Sequence, residues 1–377
     1  MGELMANITT KTEFIDDDLF YKERILKLED YAIRTPYNAS DDKNYYSPIN
    51  EIYKNFDFST LTELCSDFSS ELKLNKEIDS KKINDRLNFP FFKYVDNQPP
   101  QEEHVKLLAD LALKCDVITT PLWTLPSVKD EKKMSAEEKA RREAHFVDLI
   151  LKSNKIFFER ISQNKEKKTI IGTIPFKVSR KNIDEIFDMY QNMGIDSFVI
   201  DCNGSSLITA DTWLTNAMII IDELQNEKGF TYSINSYEGR FLKGNKETPA
   251  KDYISHGAGV DILGLNHIPP KLSPQIWRDL SQSEKTYKIF NKETYGYQRI
   301  NNETLLKEAV NLDINPNLEP NRIRRIYNSL QKNNENETLK EILEDREPVK
   351  EYIILKKQIP EKDIKVCGKI RNKVVRD

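Results

Sequence analysis

GIDSFVIDCNG, at residues 194–204, decides the fold, because a tight turn, an Asp and a short apolar run ending in polar residues directly follow a helical segment. Two other stretches repeat this arrangement, KCDVITTP at 114–121 and GVDILGLNHIPP at 259–270. Each follows ten or more residues with helical apolar spacing. Since parallel strands need a helical crossover to return, the repetition predicts an α/β fold.

Helices and strands alternate from residue 116 to residue 265, where the pattern predicts five strands. With the N-terminal strands, this approaches the eight units of a TIM-type (β/α)8 barrel, which is the fold we expect. An open doubly wound sheet is the alternative. Neither GxGxxG after the first strand nor GxxxxGK[ST] occurs, which removes the main sequence argument for a dinucleotide or nucleoside-triphosphate fold.

Three regions are expected along the chain. Residues 1–58 form an irregular segment with a hairpin, including a strand near 31–35 that Pro36 stops. Residues 59–315 form the barrel, with helices expected at 249–256 and 273–281. Prolines and asparagines mark a boundary near 315–320. Residues 316–377 form a small helical and basic appendage, read as a helical hairpin at 319–343 and an isolated strand at 352–355.

Bulk composition limits the classes of function. The net charge of −4 gives the chain as a whole no electrostatic attraction to nucleic acid, although Lys and Arg are in excess after residue 320. Four cysteines without pair spacing predict neither a disulfide framework nor a metal clip. No apolar run reaches the roughly 18 residues of a membrane helix, and no signal peptide is recognisable. We therefore expect a cytoplasmic protein without membrane contact.

Several phrases of the sequence together carry a family resemblance: RILKLEDYAIRTP at 24–36, PQEEH at 100–104, IIGTIPFKVSRKNIDEIFDMYQNMGIDSFVIDCNG at 170–204 and GAGVDILGLNHIPP at 257–270. The order of these segments and their residues resemble those of the tRNA-guanine transglycosylase superfamily. The resemblance implies a barrel enzyme that exchanges guanine for a 7-deazaguanine base in tRNA or DNA. A nucleic acid and a purine-like base are the partners it implies, and we expect no cofactor.

Most of the catalytic and base-binding residues of that family are replaced by other residues in this chain. Gly264 stands where the resemblance implies the nucleophilic Asp, and Pro175 stands where it implies the Gln that recognises the base. The expected acidic residue falls near Thr120, and the zinc ligands have no counterpart, so we expect no metal. The resemblance therefore implies a divergent member with relocated chemistry, or one that has lost it.

Asp201 and His267 are the candidate catalytic residues. Asp201 ends the apolar strand FVID, where a carboxylate could attack an anomeric carbon or act as a general base. His267 follows the strand DILGL and precedes two prolines, and its ordinary pKa near 6.5 suits proton transfer. The alternatives are an Asp that fixes a turn and a His that bonds loop carbonyls.

Polar residues at the other strand ends are the candidates for binding the substrate. Asn235, Tyr237 and Arg240 share one loop, where they could hold a planar base while Arg240 meets a phosphate. An ordinary exposed loop would contain the same residues. The full predicted set is Thr120, Thr173, Asn203, Asn235, Tyr237, Arg240 and Asn266.

An aromatic run interleaved with cations is the candidate surface for nucleic acid. Bases stack on aromatic rings, and flanking cations meet phosphates. Packing of the same rings against the barrel wall is the alternative. The predicted residues are Lys288, Tyr295, Tyr297, Arg299 and, on a later helix, Arg324.

Three functions remain open from the sequence. The first is base exchange by attack of a carboxylate at the glycosidic carbon. The second is a non-catalytic barrel of the same superfamily that binds nucleic acid or partners a catalytic subunit, and a homodimer is also possible. The third is an unrelated barrel lyase or hydrolase for a small metabolite.

Overall fold

Alternating strands and helices make up most of the computed structural model, which describes residues 9–375 apart from 29, 41, 44, 46, 126–132, 165, 226–227, 240, 242–243 and 270–284. The strands are β1 (Thr9–Ile15), β2 (Lys22–Leu28), β3 (Tyr31–Thr35), β4 (Tyr37–Asn38), β5 (Ile49–Phe56), β6 (Leu87–Tyr94), β7 (Ile118–Thr119), β8 (Leu122–Trp123), β9 (Ile170–Pro175), β10 (Phe198–Asp201), β11 (Thr231–Ile234), β12 (Glu247–Pro249), β13 (Ile262–Leu263), β14 (Thr286–Asn291) and β15 (Gly296–Asn301). The helices are α1 (Phe58–Ser66), α2 (Phe68–Lys81), α3 (Glu102–Leu113), α4 (Ala136–Ser162), α5 (Arg180–Asn192), α6 (Asp211–Gln225), α7 (Asn302–Asn311), α8 (Pro320–Glu344), α9 (Val349–Ile354) and α10 (Glu361–Val374).

Two parallel sheets form the centre of the molecule. The larger has the strand order β4-β13-β11-β10-β9-β7, and every pairing within it is parallel. The smaller has the parallel order β5-β6-β8. Helices α3 to α6 connect successive strands, as parallel pairing requires. The expected α/β class with parallel sheets is confirmed.

Strand β10 illustrates how the apolar run produces two buried faces. Val199 packs in the same hydrophobic cluster as Phe89 and Tyr232, whereas Phe198 and Ile200 pack in the cluster that includes the helices. Side chains alternate along a strand, so a strand covered on both faces reads as continuously apolar. Gly194, just before this strand, has a φ of +74°, the left-handed conformation in which glycine ends a helix without strain.

An antiparallel sheet of β1, β2 and β3 covers the amino ends of the parallel strands. Leu26, Leu28 and Ile33 join the same cluster as Phe89 and Tyr232. On this side Arg24 donates to the carbonyl of Gly229, with an Nη1 to O distance of 3.1 Å. The strand predicted near 31–35 is β3, which pairs antiparallel with β2 as a hairpin.

The C-terminal region differs from the prediction. The expected helical hairpin is one continuous helix, α8, because Asn333 and Asn336 are buried and donate to the backbone and side-chain oxygens of Asn38. These contacts offset the low helix propensity of asparagine. The expected strand at 352–355 lies largely in α9. Among the described helices, none combines the length and the apolar character needed to span a membrane.

Two helices were expected near the end of the series of parallel strands, at 249–256 and 273–281. The segment at 249–256 forms the end of β12 and a 3-10 turn, Tyr253–Gly257, in place of an α-helix. Gly259, with a φ of +91°, turns the chain toward β13 soon after this 3-10 turn. The helix expected at 273–281 lies outside the described residues.

Burial of His256 is expected to make the protein less stable in mild acid. The ring is 1% exposed, and burial lowers the pKa of His256 from 6.5 to about 4. Between these values the unfolded chain takes up a proton that the folded chain does not, so stability falls as the pH drops from 6.5 toward 4. The loss should reach up to about 3 kcal/mol.

Urea unfolding at pH 7 and pH 5 would measure this dependence in the wild type, in His256→Gln and in His145→Gln. His145 is exposed on α4 and serves as the control. We expect the wild type and His145→Gln to share the same pH dependence and His256→Gln to show less. Equal slopes in all three proteins would contradict the assignment.

Candidate functional site

Asp201 and His267 lie at the same edge of the larger parallel sheet. Asp201 ends β10, and His267 follows β13. Asn235, directly after β11, joins them: its Nδ2 donates to Asp201 Oδ1 at 2.8 Å, and its Oδ1 accepts from the backbone N–H of His267 at 3.1 Å. The carboxyl ends of these strands therefore bring the two predicted catalytic residues into one hydrogen-bonded cluster.

Lys93, near the end of β6, forms a buried ion pair with Asp201. Its Nζ lies 2.8 Å from Asp201 Oδ2 and 2.9 Å from Asn203 Oδ1. The side chains of Lys93 and Asp201 are only 4% and 3% exposed. Asp201 Oδ1 also accepts from the backbone N–H of Asn203 at 3.1 Å. Both carboxylate oxygens are thus held by donors, which fixes the orientation of the group.

Glu51, on β5, is the partner of His267. Its Oε2 lies 2.6 Å from His267 Nε2, and its carboxylate also accepts from the backbone N–H of Leu265 and from the hydroxyl of Tyr232. The Tyr53 ring stacks on the imidazole with centroids 4.3 Å apart. A carboxylate that holds one ring nitrogen fixes the orientation of an imidazole.

Gly264 provides the space for this arrangement. A Cβ atom at that position would collide with the Glu51 carboxylate and the Tyr232 ring. The position where the family resemblance implies a nucleophilic Asp therefore accommodates no side chain here. Glu51 reaches the same neighbourhood from the smaller parallel sheet.

Burial controls the protonation of three neighbouring groups. Loss of solvent raises the pKa of Tyr232 and of Tyr53 well above the usual tyrosine range, and the nearby carboxylates act in the same direction. Loss of solvent likewise raises the pKa of the Cys202 thiol. Burial therefore further favours the neutral hydroxyl of both tyrosines and the neutral thiol of Cys202.

The hydroxyl groups of Thr120 and Thr173 are hydrogen-bonded to each other and to other residues of the core. Their hydroxyl oxygens lie 2.9 Å apart, Thr120 Oγ1 is 3.0 Å from Tyr190 Oη, and Thr173 Oγ1 donates to the carbonyl of Pro121. Thr120 is fully buried and Thr173 is 2% exposed. The structure therefore places these two predicted substrate contacts in a closed network of the core.

The remaining predicted substrate contacts are more open. Asn203 and Asn266 are exposed, and Asn266 Oδ1 accepts from the backbone N–H of Ile268 at 3.1 Å. Tyr237 is half-buried, with Lys288 Nζ 5.7 Å from its ring centroid. Arg240 lies outside the described residues.

The aromatic run predicted to contact nucleic acid is largely internal. Tyr295 and Tyr297 are 1% and 0% exposed, and their hydroxyls donate to Glu335 and Asp252 at 2.6 and 2.7 Å. Both rings pack between the β12-β15-β14 sheet and its neighbours, so neither is open to stacking on a base. Lys288 is 21% exposed and pairs with Glu238 at 3.3 Å.

The cations of that run differ in exposure. Arg299 is exposed and lies over the Phe241 ring, with its guanidinium carbon 4.6 Å from the centroid. Arg324, on α8, is half-buried.

Sequence reasoning missed Glu51, Tyr53 and Lys93, which complete the site. Glu51 and Tyr53 lie inside β5 and Lys93 is the penultimate residue of β6, whereas functional residues were sought in the polar residues that close the strands. A charged residue within a strand as apolar as LNFPFFKY was the available signal, because an unpaired buried charge is costly. Within the described ranges, no group of three or more His, Cys, Asp or Glu side chains is placed to hold a metal ion.

Comparison with known proteins gives little further information. No family model matches the chain, and no curated protein matches it. Among solved structures, it is similar to a mutant of FabK from Thermotoga maritima, with 12% identity, a TM-score of 0.31, and coverage of 82% of this chain and 97% of that chain.

Proposed function

We propose that the two parallel sheets form one (β/α)8 barrel of the TIM type, with strands β4, β5, β6, β7, β9, β10, β11 and β13 in sequence. Side chains of the smaller sheet contact those of the larger one across the interior. The Tyr232 ring lies 5.6 Å from Phe89 and 5.5 Å from Phe91, and Lys93 pairs with Asp201. In such barrels the reacting groups lie at the carboxyl ends of the strands.

We further propose that the chain is a base-exchange enzyme that acts at the glycosidic bond of a purine-like base in a nucleotide, tRNA or DNA. One observation carries this proposal: Asn235 links the Asp201 carboxylate to the loop that holds His267. Base exchange needs both a carboxylate for the anomeric carbon and a proton donor for the leaving base.

The proposed reaction has two balanced steps. Asp201 forms a bond to the anomeric carbon while the bond from that carbon to the base nitrogen breaks, and the electron pair goes to the base. Protonated His267 gives its proton to that nitrogen. The incoming base then attacks the same carbon, Asp201 leaves, and His267 takes the proton of the incoming base.

The neighbours of these two residues suit the proposed roles. Lys93, Asn203 and Asn235 orient Asp201, and Lys93 must turn toward Asn203 alone to free Oδ2 for attack. Glu51 orients His267, since its Oε2 lies 2.6 Å from the imidazole Nε2. Tyr53 limits the movement of the imidazole by stacking on it.

Labelled guanine tests the proposal directly. The full chain would be incubated with labelled guanine in three separate reactions. The acceptors would be tRNA, double-stranded DNA and guanosine 5′-monophosphate. We expect label to enter at least one of these acceptors. Absence of incorporation into all three would overturn base exchange.

A second candidate is a barrel without catalytic activity that binds RNA or partners a catalytic subunit. The observation that favours it is the full occupation of Asp201, whose two oxygens accept from Lys93, Asn235 and Asn203. A carboxylate held in this way could serve only to stabilise the fold. Label incorporation by the wild type separates the two candidates, because a barrel without catalytic activity exchanges no base.

A further inference from the structure

We infer that a small cavity beside His267 binds the phosphate group of a phosphorylated substrate. The cavity has a volume of about 100 Å³ and lies between the loops after β11 and β13 and the helix α8. That volume admits one small anion together with its contacts. The lining side chains that bear on binding are Ser236, Glu238, Asp252, His267, Arg324 and Lys332.

The two carboxylates in the wall are already neutralised by cations. Asp252 pairs with Lys332 at 2.7 Å, and Glu238 pairs with Lys288 at 3.3 Å. Burial opposes ionisation of Asp252, but Lys332 and the Tyr297 hydroxyl outweigh it and lower the pKa of that carboxyl. The acidic groups are thus balanced within the protein, and Arg324 remains as an additional positive charge.

Arg324 has the chemistry of a phosphate contact. It is half-buried, and within the part of the chain that the structure describes, its guanidinium has no hydrogen-bond or ion-pair partner. A guanidinium offers a planar pair of N–H donors that matches two phosphate oxygens. Ser236 adds a hydroxyl, 4% exposed as a residue, whose Oγ lacks a hydrogen-bond partner among the described residues.

The position of the cavity agrees with the general architecture of barrel enzymes. Their phosphate sites are frequently formed by the loops after the seventh and eighth strands and by an additional helix. In the proposed strand order, β11 and β13 are the seventh and eighth strands, and Arg324 lies near the start of α8. The inference rests on the proposed function, which supplies the strand order of the barrel and the catalytic role of His267.

The shape of the site favours a phosphate monoester over a phosphodiester. The cavity of about 100 Å³ admits one terminal phosphate, whereas a phosphodiester needs room for the chain on both sides of the phosphate. Because His267 lines the same cavity, a phosphate held there would bring the attached nucleoside toward the imidazole. The substrate class is therefore a purine nucleoside monophosphate.

Calorimetric titration of the full chain with inorganic phosphate tests the site without any turnover. We expect Arg324→Gln to weaken phosphate binding at least tenfold and Arg299→Gln, an exposed cation that does not line the cavity, to change it less than twofold. Thermal melts should be alike for both variants, since neither guanidinium supports the core. Equal phosphate affinity in Arg324→Gln and wild type, or no binding by wild type, would overturn the inference.

Two further ligands identify the source of the phosphate. Guanosine 5′-monophosphate should bind at least tenfold more tightly than guanosine, and this difference should vanish in Arg324→Gln. If an oligonucleotide without terminal phosphates requires Arg324 while the monophosphate does not, the monoester assignment is wrong. If the wild type exchanges no base but still binds phosphate through Arg324, base exchange is overturned. The phosphate site then stands by itself.

Discussion

Asp201→Asn is expected to lower the rate of base exchange by a factor on the order of 10⁴ or more, because the amide cannot attack the anomeric carbon. The side chain keeps nearly the same shape, and its oxygen can still accept from Lys93, which now lies 2.8 Å from Asp201 Oδ2. Asp201→Asn also leaves the buried Lys93 ammonium without its counter-charge, so the variant should be less stable than the wild type, and its rate is compared at a temperature at which both proteins are folded. Initial rates of labelled guanine incorporation, together with circular dichroism melts, would measure both effects.

Asp196→Asn provides the matched control, because Asp196 lies just before the amino end of the same strand. It should retain the wild-type rate. His267→Gln should lower the rate by about 10²–10⁴-fold, the usual contribution of a general acid or base. If folded Asp201→Asn exchanges base at the wild-type rate, Asp201 is not the nucleophile; if the wild type itself incorporates no label, the non-catalytic candidate gains support.

Lys93→Met is expected to lower the free energy of unfolding by about 3–5 kcal/mol, because it leaves the buried Asp201 carboxylate without its cation. Both side chains are at most 4% exposed, so water cannot replace the lost ammonium group. Urea unfolding at pH 7, with the free energy extrapolated to zero denaturant, would measure the loss.

Two comparisons separate the charge effect from the loss of packing. Lys106→Met removes a solvent-exposed lysine from ion pairs on α3 and should leave the midpoint nearly unchanged. The double variant Lys93→Met/Asp201→Asn should recover part of the lost stability, since it removes the unpaired charge. A double variant no more stable than Lys93→Met would show that the ion pair is not the source of the effect.

The sequence located one half of the candidate site. Asp201, Asn203, Asn235, Asn266 and His267 were found from the sequence because each follows an apolar run closely, and turns after strands are encoded locally. The structure brings Asp201, Asn235 and His267 together at one edge of the larger sheet. The parallel α/β class followed from the same repetition of helix and strand.

The other half of the site depends on contacts distant in sequence. Lys93 meets Asp201 across 108 positions, and Glu51 meets His267 across 216. Nothing near Lys93 or Glu51 in the sequence identifies these partners, since a charge within an apolar strand indicates a buried pair but not the position of the second residue. Their pairing depends on which strands face one another, and that is fixed only when the two parallel sheets come together.

Tertiary packing also determined the burial of residues that the sequence pattern had predicted to be exposed. Tyr295 and Tyr297 lie between Lys292 and Arg299 in the sequence, yet both are buried because the antiparallel sheet packs against neighbouring elements. The helix α8 continues through Asn333 and Asn336 because Asn38, almost 300 positions away, accepts their hydrogen bonds. The sequence by itself determined the parallel α/β class and the polar strand ends, since apolar periodicity and turn residues act locally. The partners of buried charges and the burial of aromatic rings were decided by tertiary structure, because they depend on the free energy of contacts between distant segments.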